Sequence, residues 1–200
     1  MARKKVYFSV KELRHLAIAA LLVIGIGLSS GIFPEVYGEM GGLSMLFGFA
    51  GILTASFFIH EIAHKVAAQM RGLWAEFRLT VMGAILTLIS IISPIFKIIS
   101  PGAVMVSGTV ERDDLGKISI AGPATNIVLS VAFLAFSLIP MRYSSILLFG
   151  AAFNAWIALF NLIPFGILDG FKIFVWNKKI WTFAFAGSLA LTVILYRLIF

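Results

Sequence analysis

The chain has 200 residues, of which 60% are hydrophobic and only 12% are charged, and its mean hydropathy is +1.03. Soluble domains carry charge on about a quarter of their residues, so this composition excludes an ordinary water-soluble protein and predicts one embedded in a membrane. The chain has no cysteine, which excludes disulfides, thiolate metal sites and a cysteine nucleophile.

The net charge of +7 is distributed in a pattern typical of a membrane protein. Five of the sixteen Lys and Arg residues lie within the first fourteen positions, and most others lie at the ends of apolar segments. Basic loops of membrane proteins stay in the cytoplasm, and nothing here resembles a nucleic-acid-binding patch. We therefore expect a multi-pass protein of the cell membrane with a cytoplasmic N-terminus. A signal peptide is the alternative for the first apolar run, but the cleavage-site chemistry is poor.

Apolar runs that approach or exceed the length of a membrane-spanning helix follow one another along the chain, at 15–33, 43–69, 79–99, 118–139, 144–165 and 180–199. They predict an all-α polytopic membrane protein with about five to six transmembrane helices. We expect one membrane-embedded domain over residues 1–200, with its core at about 43–172. No PDZ-like or CBS-like domain is expected.

The third run, 79–99, is ambiguous because it contains Pro94 and further polar residues. If it crosses the membrane, Lys172, Lys178 and Lys179 face the outside. If it dips in and returns, the three lysines are cytoplasmic, as the charge rule prefers. Non-helical backbone at membrane depth is acceptable where protein or a water-filled cavity covers it. The charge pattern favours the dip without deciding the matter.

Residues 57–67, FFIHEIAHKVA, place ionisable side chains inside an apolar helix, where such groups are costly and usually functional. His60 and His64 are four residues apart and share one helical face, so both imidazoles can reach one zinc ion. Glu61 lies about 100° round the helix, where it can contact a metal-bound water. Zinc lowers the pKa of such a water towards about 7, and the carboxylate takes its proton as hydroxide attacks a polarised carbonyl.

Two other interpretations of this motif stay open: a buried His–Glu–His hydrogen-bond cluster, and a proton or metal relay in a transporter. A relay predicts further acidic or histidine residues on other spans, and apart from Asp169 the sequence lacks them. His15 lies at the cytoplasmic end of the first helix and is expected to be an interfacial residue rather than a ligand.

A catalytic zinc needs a third protein ligand and one open position. Asp169, in NLIPFGILDG, is the best candidate because it is the only acidic residue after Asp114 and ends an apolar helix. Glu76 is the runner-up, although a carboxylate in the polar stretch WAEFR is expected to lie solvated in a loop. If 79–99 crosses the bilayer, Asp169 lies a large part of the ~30 Å core away from the histidines. The zinc site therefore also favours the dip.

Three motifs in this order resemble the site-2 protease family of intramembrane zinc metalloproteases, peptidase family M50. They are HEIAH at 60–64, AGPATN at 121–126 and NLIPFGILDG at 161–170. The resemblance implies a zinc site with its general base: His60, His64, Asp169 and Glu61. It also implies a sheet-like segment after the H-E-x-x-H helix, which suits 79–106. Phe171 stands where many members have a second glycine, so the local turn is expected to differ.

Two asparagines are candidates for substrate binding. The resemblance implies that Asn161 holds an unwound substrate strand, and Asn126 in the G-P-x-x-N pattern is the second candidate. Both can also be helix–helix hydrogen bonds and nothing more. Gly122-Pro123 is expected to mark a helix start, because proline is tolerated in the first turn.

These observations predict an intramembrane zinc endopeptidase that hydrolyses a peptide bond within or near a transmembrane segment, on the cytoplasmic side. Its expected partners are a transmembrane substrate protein and the lipid bilayer, with no nucleic acid. A substrate helix must unwind first, and the segment GAVMVSGTV at 102–110 can pair with the unwound stretch by strand addition. The alternatives are an ordinary hairpin for that segment, and an inactive relative that only binds membrane helices.

Overall fold

The computed structural model describes residues 6–29, 43–93, 99–141 and 144–199. The helices are α1 (Val10–Ser29), α2 (Leu43–Met70), α3 (Val81–Ile92), α4 (Arg112–Ser137), α5 (Ser144–Asn161), α6 (Asp169–Trp176) and α7 (Lys178–Ile199), and the strands are β1 (Trp74–Leu79) and β2 (Gly102–Ser107). Pro94, and with it the tip of the expected dip, lies outside the described residues.

Five helices are long and apolar enough to cross a membrane within the part of the chain that the structure describes: α1, α2, α4, α5 and α7. The shortest of them, α5, has 18 residues, which at about 1.5 Å per residue nearly covers the ~30 Å hydrocarbon core. The expected all-α polytopic class is confirmed. The protein is therefore a multi-pass membrane protein.

The segment between the two strands leaves and returns at one place. Helix α3 has only 12 residues, or roughly 18 Å of length, which is too short to span the hydrocarbon core. The Thr80 N–H donates to the Pro101 carbonyl at 3.2 Å, and Leu79 pairs with Gly102 in the two-stranded antiparallel sheet. Since both ends of the segment meet, the chain doubles back between the strands. This is the path that brings Asp169 to the same side of the membrane as His60 and His64.

The stretch WAEFRL, expected to be a polar loop, is strand β1. Ala75 and Phe77 are only 0% and 1% exposed, and Glu76 is 5% exposed with its carboxylate paired to Arg78. The expectation of a solvated Glu76 was therefore wrong. A strand of alternating apolar and polar residues can bury its polar members when a charged neighbour on the same strand pairs with them.

Helix α2 packs against both α1 and α4, and it also contacts α5 and the two strands. Phe49, Leu53 and Phe57 of α2 pack with residues of α1, α5 and β1 in the main apolar cluster. Helix α4 continues through Pro123, so the expected helix start at Gly122-Pro123 was wrong. An interior proline removes one helical hydrogen bond but can be tolerated when the surrounding packing holds the helix.

Candidate metal centre

Two distant parts of the chain meet at one point beside α2. His60 and His64 lie one turn apart on this helix. Asp169 is the first residue of α6, and the preceding apolar helix ends at Asn161, so the expectation that Asp169 ends an apolar helix was wrong. The Nε2 atoms of the two histidines are 3.0 Å apart, and they lie 3.6 Å and 3.0 Å from Oδ2 of Asp169. Among the described residues, these three are the group able to hold a metal ion.

Neighbouring groups fix which nitrogen of each imidazole faces this point. The Nδ1–H of His64 donates to the Ile118 carbonyl at 2.7 Å, and the Nδ1–H of His60 donates to Oδ1 of Asn126. Each ring then carries its proton on Nδ1 and presents the lone pair of Nε2. Partners of this kind orient metal-binding histidines and raise their basicity.

The donor set and its spacing fit zinc. Two imidazole nitrogens and one carboxylate oxygen converge as three acceptors, so they repel one another unless a cation lies between them. Tetrahedral zinc bonds of about 2.0–2.1 Å place ligand atoms roughly 3.3–3.4 Å apart, and the observed separations of 3.0–3.6 Å bracket that value. Three protein ligands leave the fourth position open, as in catalytic zinc sites.

One face of α4 is shaped to fit the two histidines. Ile118, Gly122 and Asn126 are four residues apart, and two of them bind the imidazoles as described above. A Cβ atom added to Gly122 would lie 2.3 Å from Nε2 of His64 and 2.7 Å from Nε2 of His60. The glycine of the G-P-x-x-N pattern therefore allows α4 to approach the metal ligands closely.

Gly122→Ala is expected to lower zinc affinity by about 10–100-fold, because the added methyl must displace both ligand rings. The measurement is zinc content per chain after dialysis against graded chelator. Gly51→Ala is the matched control, since Gly51 lies on α2 and an added Cβ meets nothing within 4 Å there. Equal zinc retention by the two variants would contradict the proposed close packing.

Asn126 lies behind His60 rather than in the open site. It is 0% exposed, and its Nδ2 donates to Oδ1 of Asn154 at 2.8 Å. Asn154 in turn donates to Ser56 Oγ at 2.8 Å. With both ends of its amide used, Asn126 is placed to orient the imidazole, and its role in substrate binding stays a prediction. Asn154 and Ser56 were not predicted from the sequence. The four-residue spacing of Gly122 and Asn126 places both on one face of α4, and this was the available signal that Asn126 orients a histidine.

Glu61 and Asn161 line a cavity of about 450 Å³ that contains the three ligand atoms. Glu61 is 9% exposed and lies next to the metal-binding group without belonging to it. Asn161 donates to the Ile157 carbonyl at 3.0 Å, one turn back on α5. Residues 102–106 of β2 line the same cavity. The cavity is large enough for water and a short extended peptide, and the catalytic and substrate-binding roles of Glu61 and Asn161 stay predictions.

Asp169 has a second partner besides the histidines. Its Oδ1 lies 3.3 Å from Nζ of Lys172, which also lines the cavity. Burial alone would raise the pKa of the Asp169 carboxyl, but a protonated His64, hydrogen bonds from the protonated Nε2 atoms of His60 and His64, and Lys172 outweigh burial and hold the pKa well below its usual range. A metal ion that replaces those protons between the two imidazoles and the carboxylate acts in the same direction. Asp169, which lies outside the membrane-spanning helices, is therefore an anionic ligand at neutral pH.

The two remaining candidates do not reach this site. His15 accepts a hydrogen bond from the Leu79 N–H at 3.1 Å through its Nδ1, and Glu76 is paired with Arg78 on β1. Neither belongs to the metal-binding group found among the described residues. Of the two carboxylates weighed as third ligand, the structure brings only Asp169 to the histidines.

Comparison with known proteins also indicates a zinc metalloprotease. The chain is 36% identical over 132 residues to “Putative zinc metalloprotease MJ0611” of Methanocaldococcus jannaschii, an alignment that covers 64% of this chain and 69% of that protein. It is 29% identical over 183 residues to “Putative zinc metalloprotease Rip3” of Mycobacterium tuberculosis, covering 86% of this chain but only 41% of that protein. No family model matches the chain, and no solved structure gives a significant match.

In the described part of the chain, five helices able to span a membrane and a His60–His64–Asp169 group able to hold a metal define an integral-membrane metalloprotein. The chain belongs to the site-2 protease family of zinc metalloproteases, and zinc is its metal.

Proposed function

We propose that the protein is an intramembrane zinc endopeptidase that hydrolyses a peptide bond within or near a transmembrane segment of a membrane-protein substrate. The observation that carries this proposal is the meeting of His60, His64 and Asp169 in one cavity that Glu61 also lines. A carboxylate beside an open zinc position is the arrangement that hydrolysis of an amide requires.

The chain's own residues divide the work of this reaction. His60, His64 and Asp169 hold the zinc, which when bound polarises the scissile carbonyl and makes a water nucleophilic at neutral pH. Glu61 takes the proton of the attacking water and gives it to the leaving amine. Asn126 and the Ile118 carbonyl keep the two imidazoles in the required tautomer.

Strand β2 is the proposed docking edge for an unwound substrate. One of its edges pairs with β1 and the other faces the cavity through Gly102, Val104 and Val106. A helical peptide bond has its carbonyl hydrogen-bonded and crowded, so a substrate must unwind before hydrolysis. Backbone hydrogen bonds to β2 would compensate the groups that unwinding frees, and Asn161 would hold the same stretch from the other wall.

The proposed membrane is the cell membrane, with the N-terminus and the zinc site on the cytoplasmic side. The basic N-terminus supports this orientation. The returning segment between the strands puts the zinc ligands and the basic residues after α5 on the same side as the N-terminus. The substrate protein and the lipid bilayer are the proposed partners.

The test is cleavage of a single-span substrate, with helix-weakening residues at its cytoplasmic end, by the purified protein in liposomes. We expect one main cut inside or at the edge of the span, mapped by mass spectrometry. Chelation should abolish it and added zinc should restore it. Replacing the helix-weakening residues by leucine should slow the cut, because glycine and proline lower the cost of unwinding. Cleavage that persists under chelation, or falls only in soluble loops, would reject the proposal.

A further inference from the structure

The edge of β1 that faces away from β2 is closed by side chains from two helices. The Phe77 N–H donates to Glu12 Oε1 at 2.9 Å, and the Leu79 N–H donates to Nδ1 of His15 at 3.1 Å. The Ala75 carbonyl accepts from Nζ of Lys65 and from Nε2 of Gln69, both at 3.1 Å. The alternate residues Ala75, Phe77 and Leu79 thus find partners on this edge without a third strand.

An ion pair inside the protein joins these contacts. The Nζ of Lys65 lies 2.8 Å and 2.6 Å from the two carboxylate oxygens of Glu12, and the two residues are 1% and 0% exposed. The Lys65 ammonium also lies 4.4 Å from the ring centroid of Phe8 and 5.4 Å from that of Tyr7. One lysine therefore joins the N-terminal segment, α2 and β1.

The position of Lys65 on α2 places the ion pair close to the metal site. Lys65 follows the ligand His64 directly and lies four residues after Glu61, on the same side of α2 as the proposed base. Glu61, Lys65 and Glu12 also share the lining of a small void with Val104 of β2. The distance between the β2 edge and the zinc ligands therefore depends on how β1 is held against α2.

We infer that Glu12 and Lys65 are positioning residues, which lock the hairpin of β1 and β2 onto the metal-binding helix. With the outer edge of β1 occupied by helix side chains, the cavity-facing edge of β2 is the proposed docking edge at a set distance from the zinc ligands. The Val104 N–H on this edge donates to the carboxylate of Glu61, so β2 also contacts the metal-binding helix directly. The inference rests on the proposed peptidase function for its catalytic consequence. Its structural consequence is independent of that function.

The test uses a double variant in which both charges are removed together. Removing one partner leaves a buried uncompensated charge and can unfold the protein, whereas removing both at similar volume is often neutral for stability. Glu12→Gln keeps an acceptor for the Phe77 N–H, and Lys65→Met keeps the apolar stem. The variant therefore loses the contacts of the Lys65 ammonium with Glu12 and with the Ala75 carbonyl, while Gln69 still donates to that carbonyl. The matched control is Asp113→Asn with Lys117→Met, an exposed pair on α4.

Spin labels give a readout that needs no substrate. Because the chain has no cysteine, labels can be placed at Met105 of β2 and Leu115 of α4, which are 41% and 40% exposed and line the same cavity. We expect a narrow distance distribution in the parent and in the Asp113–Lys117 control. The Glu12–Lys65 double variant should show a broadened or shifted distribution with zinc content unchanged. An unchanged distribution would overturn the inference.

Kinetic measurements on the unlabelled double variant then show whether the ion pair positions a bound substrate at the zinc or is needed for the substrate to bind at all. A substrate strand can still pair with a mobile hairpin but is no longer held at the zinc, so kcat should fall at least about tenfold while KM changes less than about twofold. A parent-like kcat would overturn the inference. If the parent protein itself cleaves no substrate while the label distances change as expected, the positioning role stands and the proposed function fails.

Discussion

Glu61→Gln is expected to lower cleavage of a membrane-helix substrate by about 10²–10⁴-fold, the range that a general base contributes. Glutamine matches the size of glutamate but accepts no proton, so the variant removes the base and little else. Zinc content should stay that of the parent, because Glu61 lines the cavity without being one of the three grouped ligands. The measurements are initial cleavage rates in liposomes and metal analysis of the same samples.

Glu111→Gln is the matched control for this prediction. Glu111 is an exposed carboxylate that precedes α4 and does not line the cavity, so its variant should cleave at the parent rate. If Glu61→Gln cleaves as fast as the parent, Glu61 is not the base. If it loses its zinc, Glu61 supports the metal site instead, and the division of roles proposed above is wrong.

Asp169→Ala is expected to reduce zinc affinity by more than about a hundredfold, since it removes one of three protein ligands and the only anionic one. The remaining histidines are held by Asn126 and Ile118, so the fold should persist while the metal is lost. The parent should hold about one zinc per chain. The measurement is zinc content by mass spectrometry after chelator dialysis, with circular dichroism to verify the helices.

Glu76→Gln is the informative comparison for the metal prediction. Glu76 was the other carboxylate in reach by sequence, and it lies on β1 paired with Arg78 instead of in the metal-binding group. Its variant should keep its zinc. Zinc loss from Glu76→Gln together with zinc retention by Asp169→Ala would reverse the assignment and would also contradict the return of the chain before α4.

Hydropathy and helical spacing were sufficient to predict most helices and the two histidine ligands of the metal site. The apolar runs predicted the membrane-spanning helices to within a few residues, apart from α1 and α4, whose polar first turns lie outside the runs. His60 and His64 share a helical face at a spacing of four, which depends on helix periodicity alone. Asp169 also followed from sequence, but through elimination, because few acidic residues lie in the second half of the chain.

Strand β1 and the role of Asn126 were not predictable in this way. WAEFRL has the composition of a polar loop, and its strand conformation depends on β2, more than twenty residues later in the chain, and on side chains of α1 and α2 that bond its outer edge. The G-P-x-x-N pattern made Asn126 a candidate for substrate binding, with a helix–helix hydrogen bond as the alternative. In the structure Asn126 forms hydrogen bonds with His60 and Asn154, on two other helices, and its contact with a substrate stays a prediction.

By itself the sequence determined that this is a multi-pass membrane protein and that His60 and His64 can bind one zinc ion, because hydropathy and helical spacing are properties of neighbours along the chain. Only the tertiary structure decided that the segment after β1 returns to its starting side, that α4 orients both imidazoles, and that Glu12 reaches Lys65 from a different helix. These features depend on which distant groups satisfy each other's hydrogen bonds and charges inside the protein, and such pairings leave no periodic signal in the sequence.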